Sequence, residues 1–273
     1  MKRILTILTI LTASLVLVAF AEDKPEPLGF QDTPLIPGTK WHVNDGERPQ
    51  SKIITPGEPS TQEKAGTAPS DAVVLFDGTD VSKWRKENGE AAEWKVENGY
   101  MEVTHTGDIW TREEFGPDVQ LHLEFATPPP PTKGHGQFRG NSGCFLYGRY
   151  EIQILDSYEN KTYPDGQASA IYAQMPPLVN ASRKPGEWQA YDIVFEGPRF
   201  NPDGTVAKPA IATVHHNGVL TQNHTVLIGH TPPREVGKYT KHGEKGPIKL
   251  QDHGEPMHFR NIWIREVKPV DSQ

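Results

Sequence analysis

The stretch "EWKVENGYMEVT" sets Asn98-Gly99 between two segments in which apolar and polar residues alternate. Asn-Gly supplies the two positive φ angles of a tight hairpin turn, and strict alternation is the period of a half-buried strand, so the stretch predicts an antiparallel pair. "IATVHHNGVLTQ" repeats the device around Asn217-Gly218. Further β-prone runs, among them "VQLHLEFA", "SGCFLYG", "YEIQILDS", "WQAYDIVFEG" and "MHFRNIWIREV", are separated by turn chemistry at sandwich-like intervals. No segment carries a sustained helical period with caps. The predicted fold class is therefore all-β, a two-sheet antiparallel jelly-roll sandwich.

The ends of the chain follow other rules. Lys2 and Arg3 precede an apolar run from Ile4 to Phe20, and Ala19-Phe20-Ala21 offers the small residues that a signal peptidase reads, so residues 1–21 are expected to be a signal peptide cleaved near Ala21. The mature chain is then exported, to the periplasm or beyond it. Residues 22–70 are rich in proline and aperiodic, as in "TPLIPGTKWHV" and "TPGEPS", and predict an arm or linker. The globular domain is expected over 71–268. Cys144 is the only cysteine, which excludes an intramolecular disulfide and leaves it as a small core residue. The net charge of −7, made more negative by loss of Lys2 and Arg3, argues against nucleic acid as a partner, and no further apolar run is long enough to span a bilayer.

Chemistry concentrates in "YEIQILDS". Alternation presses Ile152 and Ile154 inward and puts Glu151 and Gln153 on the opposite face. Asp156 falls on the isoleucine side unless a bulge near Ile154-Leu155 returns it, and such a bulge is expected here. Arg139 and Asn141 on the preceding strand, with Gln251 and His253 of "IKLQDHG", extend a polar face on which a sugar could lie. Trp110, near a loop, is a candidate stacking platform. His215 and His216 beside a hairpin turn, and Asp165 and Asp203 in Asp-Gly turns, are read as structural. Eleven histidines invite a metal hypothesis, but no His-Glu-x-x-His or paired-cysteine pattern places one.

Taken in order, "VVLFDGTDVSKW", "EWKVENGYMEV", "NSGCFLYGRYEIQILDS", "GEWQAYDIVFEG", "HHNGVL", "GPIKLQDHG" and "FRNIWIREV" resemble the 3-keto-disaccharide hydrolase family over residues 71 to 267. The resemblance implies a concanavalin A-like sandwich, export, and cleavage of glycosides whose sugar is oxidised at carbon 3. The spacing Glu-x-Gln-x-x-Asp is also similar to the Glu-x-Asp-x-x-Glu of laminarinase-type glucanases, with Gln153 in place of a carboxylate.

A 3-keto group acidifies the proton on carbon 2, so a base can remove it, the glycosidic oxygen can leave carbon 1, and water can then add. This needs a base, an acid for the leaving oxygen, and a donor for the enolate. Glu151 is assigned as the base, Asp156 or His253 as the acid, and Arg139 with Gln153 or Gln251 as binders of enolate and hydroxyls. A divalent cation polarising the ketone stays open, as does functional pairing with a sugar 3-oxidoreductase that makes the ketone. Two other readings also stay open: a conventional glycosidase using Glu151 and Asp156, and a lectin-like module that binds glycans without turnover.

Overall fold

Both Asn-Gly hairpins form where the turn chemistry puts them: Lys95–Glu97 pairs with Tyr100–Glu102, and Ile211–His216 with Val219–Val226. Asn98 and Gly99 take φ of 50° and 79°, Asn217 and Gly218 52° and 78°. The structure, a computed structural model, describes residues 28–130 and 133–268. The predicted signal peptide, residues 1–21, lies outside the described residues. Among the described residues no helix is long and apolar enough to cross a membrane.

The strands build two main antiparallel sheets. The larger runs, in spatial order, Val219–Val226, Ile211–His216, Gln189–Glu196, Asp118–Ala126, His258–Glu266, Tyr100–Glu102 and Lys95–Glu97, with Val73–Phe76 also pairing to His258–Glu266. The smaller is ordered Trp84–Arg85, Ile109–Thr111, Lys249–Leu250, Asn141–Leu146 and Tyr150–Leu155. One continuous core joins them. Leu121, Leu123, Phe125, Ile193, Phe195 and Phe259 come from the larger sheet, and Ile109, Cys144, Leu146, Tyr150, Ile152, Ile154 and Leu250 from the smaller. Each set occupies alternate positions of its strand, as a two-layer sandwich requires. Tyr191 spans the layers, its hydroxyl donating to the Gln153 carbonyl at 2.7 Å. Cys144 is fully buried, and burial raises its thiol far above the ordinary range.

The proline-rich segment divides where composition shows no seam, between Ser51 and Lys52. Residues 28–51 hold a small turn of their own, with Leu35 bridged to His42 and the Ile36 N–H donating to the Trp41 carbonyl at 2.9 Å. Residues 52–70, expected to be linker, form a strap on the larger sheet. Gln62 pairs both ends of its side-chain amide with the backbone of Trp188, donating to its carbonyl at 2.9 Å and accepting from its N–H at 2.8 Å. Ser60 donates to the Glu124 carboxylate, and Arg260 donates to the Thr61 carbonyl. Polar contacts hold the strap, which is why apolar periodicity does not reveal it.

Candidate active site

The ladder between Asn141–Leu146 and Tyr150–Leu155 runs unbroken from Asn141 opposite Leu155 to Leu146 opposite Tyr150. With Ile152, Ile154 and Cys144 in the core, Glu151, Gln153, Asn141, Gly143 and Phe145 share the outer face of the smaller sheet. Lys249 sits opposite Phe145 on the next strand, and the Gln251 N–H donates to the Gly143 carbonyl at 3.0 Å. Lys249, Gln251 and His253 extend the same face. A cavity of about 300 Å³ lies over it, lined by Gln137, Asn141, Phe145, Glu151, Gln153, Tyr172, Thr231, Pro233, Lys249, Gln251 and His253.

The far edge of the Tyr150–Leu155 strand is closed by other segments. Gln153 exchanges backbone hydrogen bonds with Ala170 and Ser169, the Tyr172 N–H donates to the Glu151 carbonyl at 3.2 Å, and Thr231 Oγ1 accepts from the Glu151 N–H at 3.0 Å. These clamps fix the backbone on which the two polar side chains stand.

Glu151 is only 4% exposed, and among the described residues no group donates a hydrogen bond to its carboxyl. Burial pushes its pKa up to about 8, against the pull of the Lys249 ammonium and with a smaller push from Asp108. Lys249 Nζ is bound to Asp108 Oδ2 at 3.0 Å and lies 3.7 Å over the centre of the Phe145 ring. The carboxyl rests over Gly143, where a Cβ would stand 2.3 Å from Glu151 Oε1.

Gln153 Nε2 donates to Gln137 Oε1 at 2.9 Å, while its side-chain oxygen Oε1 is buried and without a partner among the described residues. A buried acceptor left open beside a cavity can take a hydrogen bond from a group that enters the cavity. Asn141 is anchored by donation to the Gln137 carbonyl at 2.8 Å. His253 Nδ1 lies 3.4 Å from Glu255 Oε2, and this contact raises its pKa above the ordinary histidine value.

Three sequence expectations are corrected. The bulge near Ile154-Leu155 does not form, so Asp156 keeps the parity of its strand and stays away from Glu151. Instead it is 1% exposed and paired with Arg139, Nε to Oδ2 at 2.8 Å, and accepts from the Tyr158 N–H at 3.2 Å. Burial raises the Asp156 pKa and Arg139 opposes the shift. Arg139 is spent on this pair and on the Tyr158 carbonyl, and neither residue lines the cavity. Trp110 shares the outer face, opposite Lys249, but packs over Gly148, where a Cβ would meet its ring at 2.2 Å, and stays outside the cavity. Phe145 supplies the aromatic surface there.

Sequence reasoning missed Lys249, Tyr172 and Thr231. Lys249 had a signal: it stands at the same alternate positions of "KLQDH" as Gln251 and His253. Tyr172 and Thr231 come from connections whose course no period encodes. His216, read as structural, is buried with its Nε2 2.9 Å from Gln189 Oε1, and burial lowers its pKa to about 3. Among the described residues no group of three or more His, Cys, Asp or Glu is placed to hold a metal ion.

A two-sheet antiparallel sandwich with a buried carboxyl, amides and an ammonium gathered over one sheet face is a β-sandwich domain with a polar ligand site. Residues 71–265 match the model of the 3-keto-alpha-glucoside-1,2-lyase-like domain, and the chain belongs to that family. It is 19% identical over 238 residues to a 3-keto-disaccharide hydrolase of Bacteroides thetaiotaomicron, covering 71% of this chain and 77% of that one. It is 47% identical to a crystallised Parabacteroides distasonis protein described as a "putative glycosyl hydrolase", over 81% of this chain and 93% of the other, with a TM-score of 0.76. A second P. distasonis structure with the same description, 23% identical over 72% of this chain and 99% of its own, shares the fold at a TM-score of 0.51.

Proposed function

We propose that this chain is an exported enzyme that cleaves 3-keto glycosides, disaccharides among them, by proton abstraction at carbon 2, loss of the aglycone from carbon 1, and hydration. The observation that carries the reading is Glu151: a carboxyl with no hydrogen-bonded partner among the described residues and a pKa near 8, beside an ammonium, over a cavity lined with amides. Desolvation makes its ionised form a stronger base than an ordinary carboxylate, and the elimination needs a base.

The remaining roles follow from position. Lys249 replaces Arg139 as the cation for the enolate oxygen, and the open side-chain Oε1 of Gln153 accepts from a sugar hydroxyl. His253, favoured in its protonated form by Glu255, gives its proton to the leaving oxygen. The electron pair of the C2–H bond becomes the C1–C2 double bond as the C1–O bond breaks, and water then adds at carbon 1. The substrate ketone must come from an enzyme that oxidises carbon 3 of the sugar. Asp156, locked to Arg139, supplies no second carboxylate to a conventional glycosidase mechanism.

The test is a paired assay of a 3-keto disaccharide and its unoxidised parent, with and without chelator. Cleavage of the ketone alone is expected. Equal cleavage of both sugars would point to a conventional glycosidase, and loss of activity on chelation would show that a metal polarises the ketone.

A further inference from the structure

A second cavity of about 1090 Å³ adjoins the first, and Gln137, Asn141, Tyr172, Pro233 and His253 line both. His253 therefore stands at the boundary between them. The short 3-10 turn Gly136–Phe138 and two loops supply the larger cavity's apolar wall: Phe138, Tyr163 and Val236 are 71%, 45% and 74% exposed. These are large apolar surfaces held in water beside a polar site, a feature that marks a ligand groove.

The wall is built rather than incidental. Tyr163 lies against Gly166, where a Cβ would be 2.0 Å from its Cε2, and its hydroxyl is 2.8 Å from that of Tyr172. Tyr172 is in turn tied to the Glu151 carbonyl. One chain of contacts thus links the base to the aromatic wall.

We infer that the larger cavity holds the leaving group of the substrate and that the chain prefers glycosides with an aromatic aglycone. The inference rests on the proposed elimination chemistry and adds to it the identity of the departing half. The smaller cavity is at the lower limit of ligand pockets and suits a single ring, whereas the larger is at the upper limit. Phe138, Tyr163, Val236 and Pro233 offer ring faces and methyl groups to a flat apolar partner, with Lys161 and Asp165 placed to meet phenolic hydroxyls. The chemistry agrees: a phenol leaves from carbon 1 with less help than an alcohol, which suits a half-exposed acid such as His253.

The experiment measures kcat/KM for 3-keto methyl glucoside, a 3-keto disaccharide and 3-keto p-nitrophenyl glucoside, with wild type, Phe138→Ala and Val236→Ala. Both positions are exposed, and thermal unfolding is run first to check that each variant folds. The aryl substrate is expected to be favoured over the methyl one by more than about tenfold, about tenfold from burying one ring and the rest from the better leaving group. Each substitution should remove most of the share that ring burial supplies, while leaving the phenol's leaving-group advantage and the turnover of the methyl substrate unchanged. A disaccharide turned over better than the aryl substrate, equal use of all three, or an equal loss on all three in the variants would overturn the inference. If no ketone is turned over, the elimination reading fails, and calorimetry with p-nitrophenyl and methyl glucosides still decides the cavity. Tighter aryl binding that weakens in Phe138→Ala supports it, and equal affinities refute it.

Discussion

The carboxyl of Glu151 occupies the space that the missing side chain of Gly143 leaves on the neighbouring strand, with a hypothetical Cβ only 2.3 Å from Oε1 and 2.7 Å from the Phe145 ring. Gly143 sits directly across from Gln153 in an ordinary extended conformation, so its role is room and not backbone freedom. Gly143→Ala should therefore displace the tip of Glu151 while sparing the ladder. The expected result is a loss of kcat of at least about tenfold, because a base moved by about 1 Å loses its alignment. Stability should fall by no more than about 1–3 kcal/mol. Single-turnover kinetics and thermal unfolding on one preparation check both halves.

Glu151 also carries a pH signature. Its pKa is raised by burial to about 8 from an ordinary 4.5, so the folded protein holds a proton that the unfolded chain releases between those values. The stability associated with this proton is fully present below about 4.5 and is lost as pH rises through about 8, at about 1.4 kcal/mol per pH unit between them. Glu151→Gln should remove that slope and melt higher than wild type at pH 9, with the difference vanishing near pH 4. Turnover by wild type should rise with pH as Glu151 ionises toward about 8 and fall again once His253 gives up its proton. Lys249→Met removes the ammonium that restrains the shift and should move the rising limb to higher pH. Melting curves across pH and a pH–rate profile are the checks.

Much of the sandwich was legible in the sequence because its determinants are local. Asn98-Gly99 and Asn217-Gly218 dictate turns, and alternation in "YEIQIL" assigns Glu151 and Gln153 to one face with no knowledge of the rest. The errors came where a residue's use depends on distant partners. Asp156 follows Glu151 by five positions, and the parity of an unbroken strand sends it to the other face, where Arg139 neutralises it. Tyr172 and Thr231 reach the site from loops far along the chain. The strap at Ser60–Gln62 reads as linker because its holds are a carboxylate, a guanidinium and the backbone of Trp188, none of which leaves a hydrophobic period.

That strap gives a third prediction. Glu124 and Arg260 are both nearly buried, with Arg260 Nε 2.7 Å from Glu124 Oε2, and Asn261 donates to Glu124 Oε1 at 2.7 Å. Burial alone would raise the Glu124 pKa, but hydrogen bonds from His122, Ser60, Asn261 and Arg260 bring it down to about 2. Burial opposes the charge on His122 too, yet its contacts with Asp192 and Glu124 take it to about 9. The stability from Glu124 is present above about 4.5 and lost as pH falls through about 2. That from His122 is present below about 6.5 and lost as pH rises through about 9. Arg260→Ala removes one of the cations on the buried carboxylate, which keeps His122, Ser60 and Asn261, and should cost about 1.5–3 kcal/mol. It should also expose residues 52–70 to proteases that leave wild type intact there, whereas cleavage before Lys52 should leave the melting temperature of the domain unchanged.

The most direct test of the base assignment follows the proton on carbon 2. In deuterated water, wild type and a 3-keto disaccharide should give product labelled at carbon 2, with exchange into recovered substrate whenever abstraction reverses. Glu151→Gln keeps the shape of the site and removes the base, so it should bind the ketone while losing both turnover and label, by at least about a hundredfold. Cleavage by Glu151→Gln at the wild-type rate with label still entering at carbon 2, or cleavage by wild type with none entering, would contradict the account.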